Sequence, residues 1–190
     1  MAIFACVLTL NACGSRETAR PDGPGGHGPP PPGRSGSAAN NDAWFVDAAE
    51  RTGLRFTHAN GMSGEHSMTE ILGAGVAMLD YDNDGDLDVL LIQSRGRAQL
   101  FRNNLIETGA LSFTDVTRAS GLITTGYGMG VATGDFDNDG LVDVYVTSFG
   151  TNQLFRNNGD GTFTDVSTHS RTDVSGWSVP AVFFDYDRDG

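Results

Sequence analysis

Two nine-residue segments of one pattern, Asp-x-Asp-x-Asp-Gly-x-x-Asp, constrain this chain more than any other feature. They are Asp80-Tyr-Asp82-Asn-Asp84-Gly85-Asp86-Leu-Asp88 and Asp135-Phe-Asp137-Asn-Asp139-Gly140-Leu141-Val-Asp143. A third copy opens at Asp185, continues through Asp187 and Asp189, and reaches its sixth position at Gly190. The starts are separated by 55 and 50 positions, so a unit of about fifty residues recurs along the chain. A repeat of that length points to an array of similar units, each burying its apolar face against the next.

Other motifs keep the same period. Phe101-Arg-Asn-Asn104 recurs as Phe155-Arg-Asn-Asn158, and Phe113-Thr-Asp-Val116 recurs as Phe163-Thr-Asp-Val166. Phe45-Val-Asp47 followed by Gly53-Leu54 echoes Phe113-Thr-Asp115 followed by Gly121-Leu122. Within each unit the pattern is β throughout. Gly75–Leu79 and Gly130–Thr133 lead into an acidic loop, and Val89–Gln93 and Val144–Thr147, rich in β-branched and aromatic residues, leave it. A third strand ends at Phe101 or Phe155, and a fourth runs through Phe113–Val116 or Phe163–Val166. Asn158-Gly159 and Asp160-Gly161 mark the hairpin between the last two. Four short antiparallel strands per unit describe a propeller blade. The apolar run Val89-Leu90-Leu91-Ile92 predicts an inner strand packed on both faces, and residues 55–69 read as an insertion in the first unit. Tyr127 and Trp177 hold matching places in successive units and are expected to pack between blades.

The loops carry metal chemistry. Carboxylates at positions 1, 3 and 5 converge on one side of a curled loop, and glycine at position 6 allows the sharp turn. Position 7, Asp86 or Leu141, can offer its backbone carbonyl, which explains why the side chain is acidic in one loop and apolar in the other. Position 9, Asp88 or Asp143, closes the site. A set of hard oxygen ligands suits Ca²⁺ better than the tight octahedron of Mg²⁺. An EF-hand would need Glu at position 12 and flanking helices, whereas position 12 is Leu91 or Val146 between strands. The bland alternative is a set of acidic solvent-facing turns without metal. The predicted ligands are therefore Asp80, Asp82, Asp84, Asp86 and Asp88; Asp135, Asp137, Asp139, Leu141 and Asp143; and the incomplete set Asp185, Asp187 and Asp189.

Charge supports a local role for this acidity. The chain has 24 Asp and Glu against 12 Lys and Arg, a net charge of -12, and twelve of the acidic residues lie in the three loops. Every cation is Arg and no basic patch exists, which argues against a nucleic-acid partner. Cys6 and Cys13 are the only cysteines, so no disulfide framework is available to the repeats. No stretch approaches the roughly 20 apolar residues of a membrane span.

Residues 1–13 combine a short apolar run with Leu10-Asn11-Ala12-Cys13, which resembles a bacterial lipobox. The resemblance implies lipidation of Cys13 and a membrane anchor. No Lys or Arg precedes the run, so the expectation includes a start further upstream; a chance Cys in an apolar tail is the alternative. Residues 14–43 hold six of the seven prolines, including Pro29–Pro32, and predict a disordered Gly/Pro-rich tether. The repeats are assigned to 44–190.

The stretches 79–88, 134–140 and 155–166 resemble FG-GAP/VCBS-type repeats of the integrin-α-like β-propeller, most closely those of the cartilage acidic protein (ASPIC/UnbV-type) group. The resemblance covers roughly 44–190. It implies a seven-bladed, all-β propeller with calcium in blade loops, of which this chain is expected to form a partial β-propeller of about two and a half blades. It also implies adhesion or ligand binding outside the cytoplasm, with an extracellular protein or glycan as partner. Because the third loop stops at position 6, more of the propeller is expected to follow. An enzyme built on a propeller, a hydrolase or lyase, is the competing reading. Its candidates are His58, Glu65, His66 and Glu70, whose spacing matches no metal or nucleophile signature.

Overall fold

The computed structural model describes residues 45–65 and 67–187. The signal-like segment 1–13 with Cys13, the tether 14–43, His66 and Asp189 lie outside the described residues. Those from Phe45 onward belong to one compact unit, Phe45–Gly190.

The order of elements is α1 (Ala49–Thr52), α2 (Met68–Ile71), β1 (Val76–Leu79), β2 (Asp88–Leu91), β3 (Gln99–Asn103), α3 (Leu105–Thr108) and β4 (Phe113–Asp115). Then follow β5 (Tyr127–Gly134), β6 (Asp143–Thr151), β7 (Gln153–Asn157), β8 (Phe163–Asp165), α4 (Ser167–Ser170) and β9 (Ser175–Trp177). Strands β1-β2-β3-β4 form one antiparallel sheet and β5-β6-β7-β8 a second, with β9 added to the far end of β6. These are two blades of a partial propeller, as the repeat predicts. Registers match between them: Leu79 pairs with Asp88 as Gly134 pairs with Asp143, and Phe101 pairs with Asp115 as Phe155 pairs with Asp165.

The core lies between the blades. Leu90, Ile92 and Leu100 of the first pack with Val144, Val146 and Phe155 of the second, and Tyr81, Leu122 and Phe163 join the same cluster. Burying each large aliphatic chain contributes about 1.5–3 kcal/mol. Close approach depends on small residues. A Cβ on Gly128 would stand 2.5 Å from Ile92 Cγ2, and one on Gly75 would stand 3.0 Å from Gly130 Cα. Phe163 N–H also donates to the Ser120 carbonyl at 2.7 Å.

The sheets differ from the expectation in three respects. Val89 and Leu91 are only half-buried, while Leu90 and Ile92 are fully covered. The two faces of β2 are therefore unequal, and the outer one continues into exposed Val76 and Met78. In the second blade the matching Val144 and Val146 are buried, because the first blade covers them. Next, β5 and β6 are longer than predicted, since pairing runs on to Tyr127 opposite Phe149 past an irregularity at Gly128/Gly130.

Finally, one-turn helices interrupt the β pattern. In the Phe-x-Asp motifs that start at Phe45, Phe113 and Phe163 the Asp Oδ1 accepts the N–H two residues on: Asp47 from Ala49, Asp115 from Thr117, Asp165 from Ser167. That turn favours a following helical turn, and at two of the three sites it grows into α1 and α4.

The insertion lies along the first blade. Ala59 N–H donates to Gln93 Oε1 at 2.8 Å and Gln93 Nε2 returns to the Thr57 carbonyl at 3.0 Å. The Tyr127 hydroxyl donates to the carbonyls of Asn60 and Thr69. Tyr127 thus links the second blade to this insertion. Trp177 pairs opposite Phe149 and meets it edge-on at 6.4 Å, remaining half exposed.

Candidate metal centre

Each of the two complete acidic loops links the first strand of a blade to the second and curls through two left-handed residues. Asn83 and Asn138 at position 4 have φ of 58° and 60°, and Gly85 and Gly140 at position 6 have φ of 95° and 87°. Asparagine tolerates this region better than most residues and glycine enters it freely. The loop therefore folds back on its own first carboxylate. Asp80 Oδ2 accepts the Gly85 N–H at 3.1 Å, and Asp135 Oδ2 accepts that of Gly140 at 2.8 Å.

The closing aspartate is the anchor of each loop. Asp88 and Asp143 are fully buried. Asp88 accepts Tyr81 N–H on Oδ2 at 2.9 Å and Asn103 N–H on Oδ1 at 2.8 Å. Asp143 accepts Phe136 N–H on Oδ2 at 3.0 Å and Asn157 N–H on Oδ1 at 2.8 Å. One carboxylate thus ties the entry of the loop to the third strand of its blade. Each oxygen keeps lone-pair capacity beyond these bonds and can still face a cation.

Three carboxylates converge in each of the two complete loops. Asp80, Asp82 and Asp88 bring one oxygen apiece within 4.8 Å of one another, and so do Asp135, Asp137 and Asp143. Like charges at that spacing repel by roughly 3–4 kcal/mol per pair at an effective dielectric of 20. In the first loop Asp80 Oδ1, Asp82 Oδ1 and Asp86 Oδ1 are buried without a hydrogen-bond partner. Orphaned carboxylate oxygens beside mutually repelling charges are the environment a divalent cation would satisfy, and an all-oxygen set suits a hard ion.

Burial pushes the Asp88 carboxyl up to about 6, against the lowering effect of the N–H bonds from Tyr81 and Asn103. Asp143 is raised by burial in the same way, and Asp82 by burial and then by the charge of Asp84.

The remaining predicted ligands are placed differently. Asp84 and Asp139 stand outside the convergent groups, and each accepts the N–H two residues on, from Asp86 at 3.0 Å and Leu141 at 2.9 Å. Asp86 Oδ2 accepts Ile106 N–H at 2.9 Å, so its side chain also braces the loop against α3. In the third loop Asp185 and Asp187 are exposed, and among the described residues they join no convergent group.

The two complete loops also differ in their arginines. Arg156 lies 3.8 Å from Asp137, whereas the matching Arg102 turns to Glu107 at 2.7 Å and to Asn104.

Sequence reasoning passed over Asn83 and Asn138, and over Asn103 and Asn157 as partners of the closing aspartates. The signal was present: all four recur at fixed places in the repeat. Of the enzyme candidates, Glu70 accepts the Ser63 N–H and hydroxyl, and His58 Nε2 lies 3.5 Å from Ser94 Oγ.

The FG-GAP-like repeat model matches residues 80–146 and again 135–190. Each match begins at the first aspartate of a complete loop. The chain is also similar to human Cartilage acidic protein 1, at 26% identity over 158 residues, which is 78% of this chain and 22% of that protein. It therefore spans about a fifth of the relative's length. With matched blades, matched loops and more than half its length under the family model, this chain belongs to the FG-GAP-like repeat family.

Proposed function

We propose that this chain is a calcium-stabilised, extracytoplasmic β-propeller repeat module for adhesion or ligand binding, without catalysis of its own. The observation that carries the calcium reading is the pair of buried, partnerless oxygens on Asp80 and Asp82, two of the three convergent carboxylates of the first loop. A cation there would be held by Asp80, Asp82 and Asp88, with Asp84 and the Asp86 carbonyl completing the first loop. Asp135, Asp137, Asp139, Asp143 and the Leu141 carbonyl would hold one in the second. Asp185, Asp187 and Asp189 belong to the third site. The chemistry supplied is neutralisation: a bound Ca²⁺ removes the repulsion that otherwise opposes the folded loop.

Membership of the FG-GAP-like repeat family supports a location outside the cytoplasm. Lipidation of Cys13 is the proposed anchor, and among the described residues no helix is long and apolar enough to cross a membrane. The proposed partner is an extracellular protein or glycan, not nucleic acid. The bonds from Ser63 to Glu70 favour a loop-bracing role for that carboxylate over acid–base chemistry. A glycan and extracellular-protein array probed in Ca²⁺ and in EDTA tests the binding role. Calcium-dependent capture of a defined ligand supports it; hydrolysis or elimination of an arrayed glycan would replace it with the enzyme reading.

A further inference from the structure

Asn157 is where hydrogen bonds from both complete loops meet. Its backbone N–H donates to Asp143 Oδ1, in the second loop, at 2.8 Å. Its side-chain amide crosses to the first blade and donates to the Tyr81 carbonyl at 2.8 Å, with a longer contact of 3.3 Å to the Val142 carbonyl. The Tyr81 N–H in turn donates to Asp88 Oδ2 at 2.9 Å. Three hydrogen bonds therefore run from Asp88 through Tyr81 and Asn157 to Asp143, joining the closing carboxylates of two loops in different blades. Asn157 is fully buried, and the Tyr81 ring is stacked on Phe163 of the second blade at 6.3 Å. Asn103, at the matching place in the first blade, donates its side-chain amide to the Leu87 carbonyl of its own blade instead.

We infer that Asn157 couples the two cation sites, so that filling one raises the affinity of the other. The inference rests on the calcium reading above. The Tyr81 backbone is held at its N–H by Asp88 and at its carbonyl by the Asn157 side chain, and the Asn157 backbone N–H is held by Asp143. A cation that orders the first loop therefore orders part of the second before its ion arrives. The second binding event then meets a smaller ordering cost, and linkage makes the effect reciprocal. Repulsion between the two ions acts the other way and is screened by salt.

The test is calcium titration calorimetry on the whole chain at about 0.15 M salt, comparing wild type, Asp82→Asn, Asn157→Ser and the double variant. Serine at 157 keeps an acceptor for the Gly159 N–H but is too short to reach the Tyr81 carbonyl. Asp82→Asn should weaken the second site about five-fold or more in the wild-type background. It should leave that site unchanged in the Asn157→Ser background, and Asn103→Ser should preserve the coupling. Equal second-site affinity in wild type and Asp82→Asn overturns the inference, and so does an equal loss in both backgrounds. Should Asn157→Ser not fold, NMR on Asp137→Asn decides the route. Filling the first site alone must then move the Asn157 side-chain amide resonance, and an unmoved resonance overturns the inference. Failure of the calcium reading looks different: wild type then shows no binding heat at all.

Discussion

Asp88 Oδ2 accepts the N–H of Tyr81, seven residues earlier, at 2.9 Å, and so closes the first acidic loop before any cation is considered. The same carboxylate holds Asn103 N–H, so removing it strands two buried donors. Each costs about 1–3 kcal/mol when left unmade. Asp88→Ala should therefore destabilise the protein by about 2–6 kcal/mol even in EDTA, read from denaturant midpoints. Asp82→Asn, which keeps a side-chain oxygen to accept the Asp84 N–H, should lower stability in calcium and leave it unchanged or higher in EDTA.

Calcium should reverse the pH dependence of stability. Burial raises the Asp88 carboxyl to about 6 in the folded protein, above its usual value of 3.8, and Asp143 and Asp82 are shifted the same way. The folded state then binds more protons than the unfolded state between those values. The contribution is fully present below about pH 4 and is lost as pH rises through about 6. Melting in EDTA should show this fall from the Asp88 group. In saturating calcium the ligands must be deprotonated, so stability should instead rise across the same window. Matching profiles with and without calcium would contradict the assignment.

The blade interface should be intolerant of a single methyl group. Gly128→Ala places its Cβ 2.5 Å from Ile92 Cγ2 and 2.7 Å from the Gln93 carbonyl oxygen, and should cost about 1–3 kcal/mol. Gly73→Ala meets nothing within 4 Å and serves as the control, expected within about 0.5 kcal/mol of wild type. Equal effects would show that the blades do not pack as described.

Tyr81 should act through its ring. It is buried and stacked with Phe163 at 24° between ring planes, and the second loop places Phe136 at the same position. Tyr81→Phe should fall within about 1.5 kcal/mol of wild type. Tyr81→Ala should cost about 3–5 kcal/mol by opening a cavity between the blades, measured by chemical denaturation.

Much of this was legible in the sequence, for a physical reason. A repeat that must stack on its own neighbours keeps the same apolar, glycine and acidic positions in every unit. The period therefore exposed the blades, the order of their strands and both complete loops together. What stayed hidden depends on direction and context. The sequence Val89-Leu90-Leu91-Ile92 cannot say that one face lies against a neighbouring blade while the other is half exposed. The spacing of Asp84 and Asp139 cannot say that each turns back to a backbone N–H within its own loop. The turns after Asp47 and Asp165 were hidden because a three-residue motif in a β context gives little weight to one helical turn. Asn157 was visible as part of a repeat, but its bond to Tyr81 appears only when two blades come together.

The proposed function requires the two complete loops to be calcium sites that hold the fold. Calcium calorimetry paired with thermal melting of the same sample tests it most directly. Binding is expected at both complete loops, with a melting temperature several degrees higher in calcium than in EDTA, since ligand at about 100 times its Kd adds about 2.7 kcal/mol per site. Absence of binding heat together with unchanged melting in EDTA would contradict it.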